Sequence, residues 1–91
     1  MIFEWNEAKR AANLARHGVD FKTVRSFDWS RATQAPDLRV EAGEQRWRAR
    51  GLIGGRLHLL AFSRRGDEMT IISARRANPV EKKTHEAEAR A

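Results

Sequence analysis

Apolar and polar positions change their period twice along this chain. Ile2-Phe3-Glu4-Trp5 puts Phe3 and Trp5 on one side, as a short strand does. Asn6 is a helix cap with Glu7 in the first turn, and Ala8, Ala11, Ala12 and Ala15 form a narrow apolar stripe. That helix is expected to run to about His17 and end at Gly18 in a left-handed conformation. Asp20 is a second cap, and Phe21, Val24 and Phe27 follow at helical spacing, giving a short second helix that ends near Trp29. Residues 30–44 mix polarity around Pro36 and Gly43, and read as a loop with a short edge strand near Leu38–Val40. From Gln45 the period becomes two: Arg46, Arg48 and Arg50 alternate with Trp47, Ala49 and Gly51. Gly54-Gly55 is a two-residue hairpin signal, RLHLLAFS is the return strand, RRGD the next turn and EMTIISAR the last strand. Asn78-Pro79-Val80-Glu81 then opens a final helix: Asn caps, Pro takes the first helical position and Glu can reach back to the cap. The expected fold is α+β in a single domain over residues 1–91. It has a short N-terminal strand, two helices, an antiparallel sheet of about three to four strands and a C-terminal helix.

Hairpin register assigns the arginines to faces. Even loops pair Trp47 with Phe62 and Ala49 with Leu60 on the core side, and leave Arg46, Arg48 and Arg50 on the other. A four-residue second turn would pair Phe62 with Met69, Leu60 with Ile71, His58 with Ser73 and Arg56 with Arg75. On that register Arg75 joins Arg56, His58 and Ser73 where the core face runs out, and Arg76 turns to the side of Arg46, Arg48 and Arg50.

Composition sharpens this picture in one respect. The net charge is +6, and it is not spread evenly. Acids and bases cancel over residues 1–44 and again over 80–91, so the whole excess lies in 45–79, where every basic residue is an arginine. Arginine offers a planar fork that matches phosphate, so a polyanionic partner is expected, against the plainer reading of a solvated basic surface. With 41% apolar residues the chain has enough for one modest core. There is no cysteine, hence no disulfide and no thiolate metal site, and His17, His58 and His85 lack metal-ligand spacing, so no metal or other cofactor is expected. The longest apolar runs are too short to span a bilayer and MIFEWNEAKR lacks signal-peptide order, so a cytoplasmic protein without membrane contact is expected.

Taken together, FEWNEAK, ANLARHGVDF, EQRWRARG, GGRL and IISARRANPVE resemble the BrnT family of bacterial type II toxins, in order over residues 3–81. The matching positions are Lys9, Asn13, His17, Phe21, Arg46, Gly51, Ser73, Arg75 and Glu81. The resemblance implies a RelE-type fold and a ribonuclease that inhibits translation. It also implies neutralisation by a cognate BrnA-like antitoxin, through which alone the complex would bind promoter DNA. Exposed strand edges could carry a homodimer within that complex or an antitoxin helix. This chain has no tyrosine, and His85 stands where the last helix of the family often carries one.

Metal-independent RNA cleavage needs a base for the ribose 2′-hydroxyl and cations for the developing charge. Arginine is a clamp and a poor base, so the base must be a histidine, a carboxylate or a perturbed lysine. The catalytic candidates are therefore Arg75, with His17 and His58 as histidines, and the RNA-binding candidates are Arg46, Arg48, Arg50, Arg56 and Arg76. Each has a plainer reading. His17 can satisfy the end of its helix, His58 can be a strand-margin residue, Arg75 can anchor the last helix through Glu81, and Glu86 and Glu88 can simply be solvated. The rival for the whole chain is a non-catalytic basic module that binds nucleic acid or antitoxin.

Overall fold

The structure, a computed structural model, describes residues 2–41 and 44–90, without the side chains of residues 39–41. In chain order it has β1 (Ile2–Trp5), α1 (Glu7–His17), two 3-10 segments (Phe21–Ser26 and Trp29–Arg31), β2 (Thr33–Glu41), β3 (Glu44–Ile53), β4 (Arg56–Arg65), β5 (Glu68–Arg76) and α2 (Pro79–Arg90). The class is α+β as expected, but the sheet has five strands in the order β1-β5-β4-β3-β2 and is mixed, because β1 lies parallel to β5.

The local signals formed as their chemistry requires. Asn6 accepts from the Lys9 N–H, and Gly18 ends α1 at φ 69° with its N–H on the Leu14 carbonyl. Gly54 and Gly55 both have positive φ, as the tight turn between β3 and β4 demands. Asn78 and Glu81 exchange both bonds of a capping box at 2.8 and 2.9 Å.

Three expectations need correction. The second helix is not α-helical. Asp20 and Asp28 each cap a short 3-10 turn, which is enough to bury Phe21, Val24 and Phe27 without a full helical face. Residues 30–44 are not mainly a loop, because Thr33–Glu41 pairs antiparallel with β3. Pro36 is tolerated because β2 is an edge strand, and the pairing is irregular between Pro36 and Val40. Gly43 of the expected loop lies outside the described residues.

The third correction is the register between β4 and β5. The first hairpin pairs Trp47 with Phe62 and Ala49 with Leu60, as expected. The second turn is shorter than expected, so Phe62 meets Ile71 rather than Met69, and Arg64 meets Met69. Beyond that pair the ladder slips by one. Ala61 stands opposite Ser73 and Leu60 opposite Ala74, so Ile72 is the extra residue of a β-bulge. Without the bulge Arg75 would stand beside His58 on the core face. With it, Arg75 pairs with Leu59 and changes side, and Arg76 takes the place opposite His58.

Among the described residues the core cluster lies on one face of the sheet. Phe21, Val24 and Phe27 from the 3-10 region pack with Val19 on Ala49, Leu60, Phe62, Met69, Ile71 and Ala74 of the sheet. Phe21 and Phe62 are completely buried, each contributing about 2 kcal/mol by transfer from water. Trp47 packs at the margin of this core, on the side away from Arg46, Arg48 and Arg50. Gly51 is required here, since a Cβ at that position would collide with the Phe27 ring. Asn13 fixes α1 to the sheet. Its Nδ2 donates to the carbonyls of Val19 and Ala74, and its Oδ1 accepts from the Ala74 N–H. The pairing of β1 ends opposite Ile71, and the Asn13 amide satisfies the outer edge of β5 beyond it.

Candidate nucleic-acid interface and active site

The opposite face of the sheet carries the arginines in rows. Arg48 aligns with Ala35, Ala61 and Ser73, and Arg50 with Thr33, Leu59 and Arg75. Together with Arg46 these residues line an open cavity of about 580 Å³. Period two on β3 put Arg46, Arg48 and Arg50 there, and the bulge at Ile72 adds Arg75. Its floor is small or apolar (Ala35, Leu59, Ala61), so an extended polyanion could lie flat between the guanidinium groups.

Carboxylates from β2 and α2 meet the arginines of the basin. Asp37, buried on β2, lies 4.0 Å from Arg46 Nε and 3.8 Å from Arg48 Nε. Glu81 grips Arg75 by two parallel bonds of 2.8 Å, a bidentate pair. Glu88 bonds the Arg50 guanidinium, so it is not a simply solvated residue. Glu81 and Glu88 are two helical turns apart and so share a face of α2, a spacing that could have revealed them. Among the described residues α2 has no buried side chain, so ion pairs and its cap hold it over the sheet.

The electrostatics follow this geometry. The Arg75 guanidinium, seconded by the Asn78 N–H, holds the Glu81 carboxyl at about 2, and Glu81 in turn pushes Arg75 above its ordinary value. A carboxylate that acidic is an anchor and a poor proton acceptor.

The structure does not bring the expected histidines to the basin. His58 is buried on the core side of β4, its Nδ1 at 2.8 Å from the Arg56 carbonyl. His17 is half-buried in the last turn of α1. Arg56 and Arg76 lie beyond the other side of α2, where they line a second cavity with His85. Among the described residues no three His, Asp or Glu side chains come together as a metal site. No helix among them is long and apolar enough to cross a membrane.

Fold and face thus define a small α+β protein with a basin of arginines, side chains whose planar forks match phosphate geometry. A family model described as the ribonuclease toxin BrnT of type II toxin–antitoxin systems matches residues 5–81. The protein belongs to this family of ribonuclease toxins, whose description names RNA cleavage as the activity and pairs each toxin with an antitoxin. No curated protein matches the chain. Several positions behind the resemblance serve the fold: Asn13 pins α1, Phe21 fills the core, Gly51 admits Phe27 and Glu81 anchors α2.

Proposed function

We propose that this toxin cleaves RNA on the arginine basin without a metal ion and thereby inhibits translation. The observation that carries the reading is the alignment of Arg48, Arg50 and Arg75 on one open face around Ser73. Arg48 and Arg50 clamp the scissile phosphodiester, and Arg75 stabilises charge on it in the transition state. Of the carboxylates paired with the basin's arginines, Asp37 is buried between two of them and Glu81 is locked in a bidentate pair and a capping box. Glu88 is half-exposed and among the described residues is tied to Arg50 alone, so the base is Glu88 rather than His17 or His58. It takes the proton of the 2′-hydroxyl as the O2′–P bond forms. The P–O5′ bond breaks, and the leaving oxygen takes a proton from water. The products are a 2′,3′-cyclic phosphate and a 5′-hydroxyl.

RNA must displace Glu88 from Arg50 to enter. A cognate BrnA-like antitoxin with an acidic segment would block the enzyme by covering the same arginines. The complex would contact promoter DNA through that antitoxin alone, and in it β2 is a free edge on which two toxin copies could meet. The site of action is the cytoplasm, on a RelE-type fold. The test is induced expression in bacteria, scoring growth and total RNA for wild type and for Arg48→Ala with Arg50→Ala. Arrest with RNA decay in wild type, relieved in the double variant, is expected. Normal growth with abundant folded protein would refute the toxin reading, and leave a basic module that only binds.

A further inference from the structure

The second cavity, about 370 Å³, lies on the far side of α2 from the arginine basin. Its floor is the cross-strand pair Leu52 and Leu57, two residues along β3 and β4 from the row of Arg50 and Leu59. That offset is about 7 Å along the strands. Its walls carry Arg56, Arg76, Lys82 and His85 against one acid, Glu86.

The contrast with the first basin is in the pairing of charges. There Arg46, Arg48, Arg50 and Arg75 each face a carboxylate. Arg56, Arg76 and Lys82 make no ion pair among the described residues, and all three are exposed. His85 adds a polar edge: its Nδ1 is shielded from solvent and has no hydrogen-bond partner among the described residues. Three unpaired cations around a cavity repel one another, and a bound anion removes that cost while satisfying the imidazole.

We propose that this cavity is a second phosphate subsite, formed by Arg56, Arg76, Lys82 and His85. Resting on the ribonuclease reading, it takes a phosphodiester farther along the strand than the one held on the basin, because the strand must first cross α2, which is about 10 Å wide. It sets how far an RNA strand must extend past the cleaved bond, and α2 is the ridge the strand crosses.

The test uses two probes on the full chain. Inorganic phosphate is titrated while the Nε–H signals of Arg56 and Arg76 and the His85 ring signals are followed by NMR. Saturable shifts there, absent at Arg10, are expected. Unmoved signals would overturn the site whether or not the protein cleaves RNA. The second probe is a 2′-O-methyl oligoribonucleotide, which cannot be cleaved. Replacing Arg56, Arg76 and Lys82 by Gln should weaken its binding about tenfold. The same triple should flatten the salt dependence by about 0.7 for each phosphate that is no longer neutralised. Replacing the exposed Lys9, Arg16 and Arg25 by Gln is the charge-matched control. Equal effects of the two triples would overturn the assignment to RNA. Phosphate shifts without that difference would mark a site for a free phosphorylated ligand and refute the RNA subsite.

Discussion

Replacing Glu81 by Gln removes one negative charge from the Arg75 pair and leaves the shape of the helix cap nearly intact, since Gln also serves at that position of a capping box. In the folded protein Glu81 ionises at about 2 against an ordinary 4.5. Full conversion of that shift would give at most about 3 kcal/mol. The Arg75 side chain is 41% exposed, so solvent screening reduces this to about 1–2 kcal/mol. The folded value is depressed, so the contribution is fully present above pH 4.5 and is lost as pH falls from there through about 2. The loss should be local, because α2 buries no side chain among the described residues. Hydrogen exchange is the assay. At pH 7 the amides of α2, beginning with Lys82 on the Asn78 carbonyl, should exchange about 5–30-fold faster in Glu81→Gln than in wild type. The core amides of β4 should be unchanged. The difference should shrink as pH falls through the window given. Equal protection of α2 at pH 7, or a Glu81 that titrates near 4.5, would refute the anchoring role.

Asn13→Ala strips partners from the Val19 carbonyl and from both backbone groups of Ala74, and should cost about 2–4 kcal/mol in urea denaturation. Asn13→Asp should cost more, because a carboxylate would face two carbonyls. Gly51→Ala drives a Cβ into the Phe27 ring and should cost about 1–3 kcal/mol, partly recovered by adding Phe27→Leu; an unchanged midpoint would show that the contact relaxes freely. Glu88→Gln should bind single-stranded RNA more tightly, because Arg50 is released, yet cleave it about 10²-fold more slowly. Binding and cleavage moving in the same direction would remove Glu88 from the role of base.

What the sequence revealed was what is local. Asn6, Asp20, Asn78 and the Gly54-Gly55 turn act within a few residues of themselves, and each formed as its chemistry demands. Strand β2 was mostly hidden because its residues show no apolar alternation: Leu38 is 99% exposed and the buried member is Asp37. The parallel pairing of β1 with β5 has no turn to announce it, since its partners lie at opposite ends of the chain. The bulge at Ile72 had no marker such as glycine, yet it decides which of two adjacent arginines reaches the basin. Period two placed Arg46, Arg48 and Arg50 together correctly, but their carboxylate partners come from β2 and α2 and could be seen only once those elements were docked. The same docking separated His17 and His58 from the basin and set His85 beside unpaired cations.

In the proposed mechanism the arginine basin cleaves RNA without a metal. The direct measurement is incubation of the purified chain with single-stranded RNA in excess chelator, followed by analysis of fragment ends, with Arg48→Ala and Arg50→Ala combined as the comparison. Fragments ending in 2′,3′-cyclic phosphate are expected from wild type, and a rate lower by about 10²-fold in the variant. RNA left intact by folded wild-type protein until a divalent metal is supplied, or cut equally well by both proteins, would contradict that mechanism.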